Sequence, residues 1–141
     1  MTARLAKDVN DLYIFEYFRL KEFECRCCHH VLVHPDMLFK VNRIRQMLEV
    51  PVLVTSAFRC PAHNKEVGGH PESGHMRGEC CDFQVPRLHP RRVISAIYAA
   101  GFKKVVLYGP DLLVLEYELG FTAYPRTKVV KHPTIFYHAG L

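Results

Sequence analysis

Residues 56–82, SAFRCPAHNKEVGGHPESGHMRGECCD, are the stretch that decides how the fold of this chain is interpreted. A short segment containing Gly78 separates His75 from Asp82, and imidazole and carboxylate are both good zinc ligands. A catalytic zinc ordinarily takes three protein ligands and leaves one position open for water. A third ligand must therefore come from elsewhere. We favour His138, in the apolar run 135–138, with His132 as its rival.

The same stretch resembles the signature of zinc D-alanyl-D-alanine carboxypeptidases. That family includes phage endolysin peptidases and shares its fold with the signalling domain of hedgehog proteins. The residues that carry the resemblance are Ser56-x-x-Arg59, Asn64-x-x-Val67-Gly68-Gly69 and Ser73-x-His75-x-x-Gly78-x-Cys80-x-Asp82. Residues 22–28, EFECRCC, are similar to the start of the phage-type members. The final strand, ending in His138, is similar to the strand with the family's last zinc ligand. We therefore divide the chain into an N-terminal extension, 1–19, and a zinc peptidase-like domain, 20–141.

The resemblance implies a zinc-dependent metallopeptidase acting on the stem peptides of bacterial peptidoglycan. It would cleave D-Ala-D-Ala or related L,D bonds with water activated by one catalytic zinc, held by His75, Asp82 and His138. Arg59 would bind a substrate carboxylate, because a guanidinium offers two parallel hydrogen bonds; its alternative is a surface salt bridge. Ser73 would either donate a hydrogen bond to the substrate or shape the loop.

One feature of the family is missing near the last predicted ligand. Family members usually place an acidic residue close to this histidine, where it activates water or orients a ligand. Here the corresponding positions are Ile135 and Gly140, which cannot do acid–base work. The candidate substitutes, with His132 first as the catalytic residue, are His132, Glu116, Glu118 and Glu79. This departure keeps open a rival function, a catalytically silent zinc domain that binds peptidoglycan or a protein partner.

The six cysteines raise a separate question. They stand at Cys25, Cys27, Cys28, Cys60, Cys80 and Cys81. The Cys-x-Cys-Cys spacing is awkward for a disulfide framework but compatible with a metal site. A second, structural zinc at Cys25, Cys27, Cys28 and Cys60 is therefore one hypothesis, beside a disulfide, simple packing or a cysteine-centred redox function. For the Cys80–Cys81 pair we favour packing as small hydrophobic side chains.

Length, charge and hydrophobicity limit which other kinds of protein this chain can be. A length of 141 residues fits one domain with a single core. The formal charge of +5 is modest, and the basic residues are scattered rather than arranged in the stripe that nucleic-acid binding requires. No apolar run is long enough to cross a membrane, and residues 1–10 lack the apolar core of a secretory signal. We expect a monomer that is cytoplasmic as synthesised and that acts at the bacterial cell wall if phage-encoded.

The pattern along the chain predicts an α+β fold, a mainly antiparallel sheet flanked by helices in one domain. Helices are expected over 35–49, 61–66 and from Pro90 to a cap at Gly101. Strands are expected over 51–55, 80–85, 104–108, 112–117 and 135–138. Residues 70–78 are expected to form a loop, and residues 12–18 a short helix or strand.

Overall fold

The computed structural model describes residues 10, 12–111, 114 and 126–141. The strands are β1 (Tyr13–Ile14), β2 (Phe18–Arg19), β3 (Leu53–Ser56), β4 (Cys80–Gln84), β5 (Lys104–Gly109), β6 (Lys128–Lys131) and β7 (Phe136–Gly140). The helices are α1 (Pro35–Leu48), α2 (Pro61–Glu66) and α3 (Pro90–Ala100), with 3-10 helices at Leu20–Phe23 and Gly74–Arg77. None of the described helices combines the length and the hydrophobicity that a bilayer-spanning segment needs.

All three of these α-helices begin at a proline. The ring fixes φ near its helical value, and the missing N–H would have no partner in the first turn. The side chain of the residue before each proline caps the helix: His34, Cys60 and His89 each accept a hydrogen bond from a backbone N–H of the first turn. The helix α3 ends at Gly101, whose φ of 103° lies in the left-handed region that glycine adopts readily. The predicted helices are confirmed.

Within the described residues, the main sheet has five strands in the order β3-β4-β7-β5-β6. The β3–β4, β4–β7 and β7–β5 pairs are antiparallel, and the β5–β6 pair is parallel. The predicted α+β class is therefore confirmed. Two predictions need correction: residues 74–77 of the expected loop form a 3-10 helix, and β6 was not predicted. The expected strand at 112–117 lies outside the described residues, apart from Val114.

Helices α1 and α3 cover one face of this sheet and form the core with it. Strand residues alternate between the two faces, so Phe83, Tyr137 and Leu107 face the helices and are buried. The Phe83 and Tyr137 rings stack with centroids 5.7 Å apart. The alternate residues of these strands, among them Asp82 and His138, point to the opposite face of the sheet. This face carries the candidate site.

Residues 12–23 pack onto this domain. The strands β1 and β2 form a two-stranded antiparallel sheet, and Phe18 is buried with its ring centroid 5.6 Å from that of Phe23. The backbone N–H of Phe58 donates to the carbonyl oxygen of Phe23, at 3.1 Å. This segment therefore supports the loop after β3. The division of the chain between residues 19 and 20 stays a prediction.

Candidate metal centre

The register of the sheet brings two of the predicted ligands together. Asp82 on β4 is paired directly with His138 on β7. Directly paired residues of antiparallel strands place their side chains side by side on one face. The Nδ1 atom of His138 lies 2.7 Å from Oδ1 of Asp82. Two residues far apart in the sequence thus become neighbours through strand pairing.

His75 reaches the same point from the 3-10 helix Gly74–Arg77. Ser73 caps this helix, because its Oγ accepts a hydrogen bond from the backbone N–H of His75 at 3.2 Å. Gly78 ends it with a φ of 68°, and its Cα faces the Leu32 carbonyl so closely that no side chain fits. This short helix directs the His75 ring beneath the loop, where only 1% of the residue is exposed.

The hydrogen bonding of His75 fits a metal ligand. Its Nδ1–H donates to the Ala57 carbonyl oxygen at 2.6 Å, which leaves the lone pair on Nε2. Nε2 is buried without a hydrogen-bond partner among the described residues and lies 3.2 Å from Oδ1 of Asp82. A lone pair facing a carboxylate oxygen is unfavourable unless a proton or a metal ion lies between them. The backbone carbonyl of Ala57 therefore favours the tautomer with a free Nε2, and a partner of this kind is common at histidine metal sites.

The ligand atoms of His75, Asp82 and His138 all lie within 4.8 Å of one another. Zinc bonds of about 2.0–2.2 Å place tetrahedral ligand atoms roughly 3.3–3.6 Å apart, so the cluster needs only small adjustments to hold the ion. Two nitrogens and one oxygen also match the donor set of a catalytic zinc with an open position. The predicted trio forms this cluster, and His132, the rival third ligand, is not part of it.

Charge interactions within the cluster are strong before any metal binds. Burial raises the pKa of Asp82, but the hydrogen bond from His138 and the nearby His75 outweigh it and lower that pKa to about 2. Burial lowers the pKa of His138, but the hydrogen bond to Asp82 outweighs it and raises that pKa to about 9. At neutral pH without metal, a protonated His138 therefore donates to an ionised Asp82.

Comparison with known families decides what kind of site this is. A family model described as peptidase M15 matches residues 16–113, a range that includes His75 and Asp82. The chain belongs to the peptidase M15 family. M15 enzymes are zinc peptidases, so the ligand cluster belongs to a zinc metallopeptidase. No curated protein matches the chain.

Arg59 and Ser73 of this M15 peptidase lie together beside His75. The Arg59 Nη2 donates to Ser73 Oγ at 3.3 Å, and the Arg59 backbone N–H donates to the His75 carbonyl at 3.2 Å. The Nε of Arg59 is buried without a hydrogen-bond partner in the described part of the chain. Ser73 shapes the loop, while its own hydroxyl proton remains available to a ligand. The substrate roles of both residues stay predictions.

His132 lies in a row of aromatic rings with Phe136 and Tyr108. Its ring meets that of Phe136 edge-on, with centroids 4.8 Å apart, and Phe136 stacks on Tyr108 at 4.2 Å. Burial raises the pKa of Tyr108, and the charge of Asp82 raises it further. The His132 Nδ1 accepts a hydrogen bond from the backbone N–H of Thr134 at 3.1 Å. The catalytic role of His132 stays a prediction.

The other candidate acids have different positions. Glu79 accepts a hydrogen bond from Nε of Arg77 at 3.2 Å, as part of a salt bridge. Glu116 and Glu118 lie outside the described residues. Glu72, an exposed residue that lines the cavity beside His138, was not predicted as a site residue. No spacing rule pointed to it, because it lies in an irregular segment whose course only the structure gives.

A cavity of about 710 Å³ opens beside His138. Its lining residues are His70, Pro71, Glu72, Ser73, Gly74, Met76, Arg77, Cys80, Lys104 and His138. Sequence reasoning also missed the two cations here, Arg77 and Lys104. Lys104 is paired with Gly140 across β5 and β7, and only that register places it near the ligands. Cys80 and Cys81 are both buried, but Cys80 faces the cavity whereas Cys81 belongs to the core.

A second group of potential ligands includes Cys60, which directly follows Arg59. The thiol groups of Cys25, Cys27, Cys28 and Cys60 all lie within 4.8 Å of one another. Burial raises the pKa of Cys25, but backbone N–H groups that point at its sulfur outweigh this and lower the pKa to about 6. The hydrogen bond to Cys60 raises the pKa of Cys27 to about 12. One sulfur of this group is thus readily ionised while its neighbour holds a proton.

Proposed function

We propose that this M15 peptidase hydrolyses stem peptides of bacterial peptidoglycan, at a D-Ala-D-Ala bond or a related L,D bond. The observation that carries the proposal is the cluster of His75, Asp82 and His138 beside an open cavity whose lining includes Arg77 and Lys104. Such a cavity admits a short peptide with a free carboxylate, which is what a peptidoglycan stem presents.

Zinc bound at this centre would supply a Lewis acid for the scissile carbonyl and lower the pKa of a water molecule. His75, Asp82 and His138 would hold the ion. Because the ligands are two neutral imidazoles and one carboxylate, the loaded centre keeps a net positive charge that favours a developing oxyanion. The Ala57 carbonyl keeps the His75 ring in the required tautomer.

The cationic residues would position the substrate. Arg59 is held next to His75 by its contacts with Ser73 and the loop backbone, and its guanidinium suits the terminal carboxylate. Lys104 and Arg77 line the cavity and would attract the further carboxylates of a stem peptide.

A general base must still take up a proton. His132 is the sequence-based candidate, and Glu72 is the carboxylate that lines the cavity. Replacing each separately, His132→Ala and Glu72→Gln, distinguishes them. The true base should lower kcat by about 10²–10⁴-fold, with zinc content and KM little changed. If neither variant lowers kcat, the base lies elsewhere in the chain.

The decisive test is release of D-alanine, or of new amino groups, from purified muropeptides. The native chain, with and without added zinc, is compared with His75→Ala and with His30→Ala, whose exposed imidazole lies outside the ligand cluster. We expect zinc-dependent release that only His75→Ala abolishes. Release by His75→Ala at the native rate would contradict the proposed zinc centre.

The second candidate function is a zinc domain that binds peptidoglycan or a protein partner without cleaving it. The observation that favours it is the absence of an acidic residue at positions 135 and 140. A folded, zinc-loaded chain that releases nothing from D,D and L,D substrates, yet co-sediments with peptidoglycan, would establish this function. The phage endolysin setting, action at the cell wall and a monomeric state remain parts of the first proposal.

A further inference from the structure

The four clustered cysteines come from two separate segments. Cys25, Cys27 and Cys28 lie in the turn after the 3-10 helix Leu20–Phe23, and Cys60 caps α2. The Sγ atom of Cys27 lies 3.3 Å from that of Cys60 and 3.7 Å from that of Cys25. Zinc–sulfur bonds of about 2.3 Å place tetrahedral sulfur ligands roughly 3.8 Å apart. The thiols therefore already have nearly the separation that a shared zinc requires.

Neither simple packing nor a disulfide accounts for the whole cluster. Packing suits Cys25, which is buried, but Cys27 is exposed and Cys28 is only partly covered. A single disulfide would use two of the sulfurs and leave the other two facing it. All four thiols converge on one point, which is the arrangement of a closed, four-coordinate structural zinc site.

The backbone around Cys25 provides independent support. The backbone N–H of Cys60 donates to Sγ of Cys25 at 3.4 Å. The backbone N–H of His63 donates in turn to Sγ of Cys60, at 3.4 Å. Amide donors aimed at sulfur stabilise a thiolate, and such partners typically orient metal ligands. The main chain thus favours the anionic sulfurs that a metal requires.

We propose that Cys25, Cys27, Cys28 and Cys60 bind a structural zinc ion that holds the loop after β3 in place. On binding, each sulfur loses its remaining proton to solvent and no oxidation takes place. The loop carries the Ala57 carbonyl that orients His75, and it also carries Arg59. The zinc would tie this loop to the turn at residues 25–28. The proposal does not depend on peptidase activity.

The test measures metal content of the full chain purified with zinc under reducing conditions. We expect two zinc ions for the native chain, one for His75→Ala and one for the double variant Cys27→Ser/Cys28→Ser. Cys81→Ala, which removes a thiol outside the cluster, should retain both. A single zinc in the native chain that His75→Ala abolishes would overturn the proposal.

Cobalt substitution keeps the test valid if the double variant does not fold. In His75→Ala, with all four cluster cysteines present, bound Co²⁺ should show the intense near-ultraviolet charge-transfer absorption of thiolate ligands. All six cysteines should react with a thiol reagent once the protein is denatured in the presence of a chelator. Absence of the thiolate absorption, or a disulfide within the cluster after preparation under reducing conditions, would refute the proposed site.

A separate measurement, of zinc affinity at His75, tests whether the cysteine site supports the catalytic centre. Loss of the cysteine site should loosen the Ala57 carbonyl, and loss of such a partner typically weakens metal binding by about 10–100-fold. We therefore expect the folded double variant to bind zinc at His75 about tenfold more weakly than the native chain. An unchanged affinity would refute the positioning role of the structural zinc.

Discussion

The contact between His138 and Asp82 predicts that zinc binding releases a proton at neutral pH. Before metal binds, Nδ1 of His138 donates to Asp82 across 2.7 Å, and the pKa of His138 is raised to about 9. Zinc binds only the neutral imidazole, so the ion and the proton compete for this side chain. Lower pH therefore weakens zinc binding.

The magnitude follows from the raised pKa. The pKa of His138, about 9, lies about two units above pH 7. At 1.36 kcal/mol per unit, removing the proton at pH 7 therefore costs about 2.7 kcal/mol. We expect the apparent zinc affinity of this centre to be about 100-fold lower at pH 7 than above pH 9. Between these values it should rise about tenfold per pH unit.

The assay is calorimetric titration of the zinc-free centre at pH 7, in two buffers with different ionisation enthalpies. A competing chelator keeps free zinc low. The difference in heat gives the number of protons released, and a parallel titration of His75→Ala subtracts protons from any other zinc site. We expect about one proton from His138. The control His132→Ala, outside the ligand cluster, should give the native value. Proton release near zero with a flat affinity between pH 7 and 9 would refute the reasoning.

Three further substitutions test the rest of the architecture. Gly78→Ala should lower the free energy of unfolding by about 2 kcal/mol or more, because the residue has a φ of 68° and its new Cβ would collide with the Leu32 carbonyl; unchanged urea denaturation would contradict this. Phe83→Ala should cost about 3–5 kcal/mol by the same measurement, because Phe83 is fully buried against Tyr137; a loss below about 1 kcal/mol would argue against that packing. Asp82→Asn should weaken zinc binding by more than about 100-fold, since it replaces a charged ligand with a neutral amide, a larger change than loss of a ligand's partner; native affinity in a chelator competition would exclude Asp82 from the centre.

The helices could be predicted because their signals are local. Each proline at a first helical position fixes φ within its own residue, and Gly101 supplies the left-handed cap without help from distant parts of the chain. The conformation of the loop at residues 70–78 was harder to predict. Its 3-10 helix spans four residues, Gly74–Arg77, which is too short for hydrophobic periodicity to reveal.

The candidate metal ligands also differ in whether a local sequence signal reveals them. His75 and Asp82 come from one motif. His138 was favoured over His132 because the final strand resembles the one that holds the family's last zinc ligand, but its place opposite Asp82 depends on a strand register that the sequence does not encode locally. Strand β6 went unpredicted because its buried and exposed residues do not alternate and its partner, β5, is parallel and distant in sequence. The hydrogen bond from His75 to Ala57 was equally invisible, because any residue type supplies a backbone carbonyl.

The position of β7 has a consequence for biosynthesis. This strand lies between β4 and β5 in the sheet, although it follows both in the chain. During translation, β4 and β5 leave the ribosome without the strand that separates them, and Asp82 has no histidine opposite it until residue 138 emerges. A nascent chain can therefore bury part of its helices early but cannot assemble the metal centre. Hydrolytic capacity is thus withheld until β7 has been inserted.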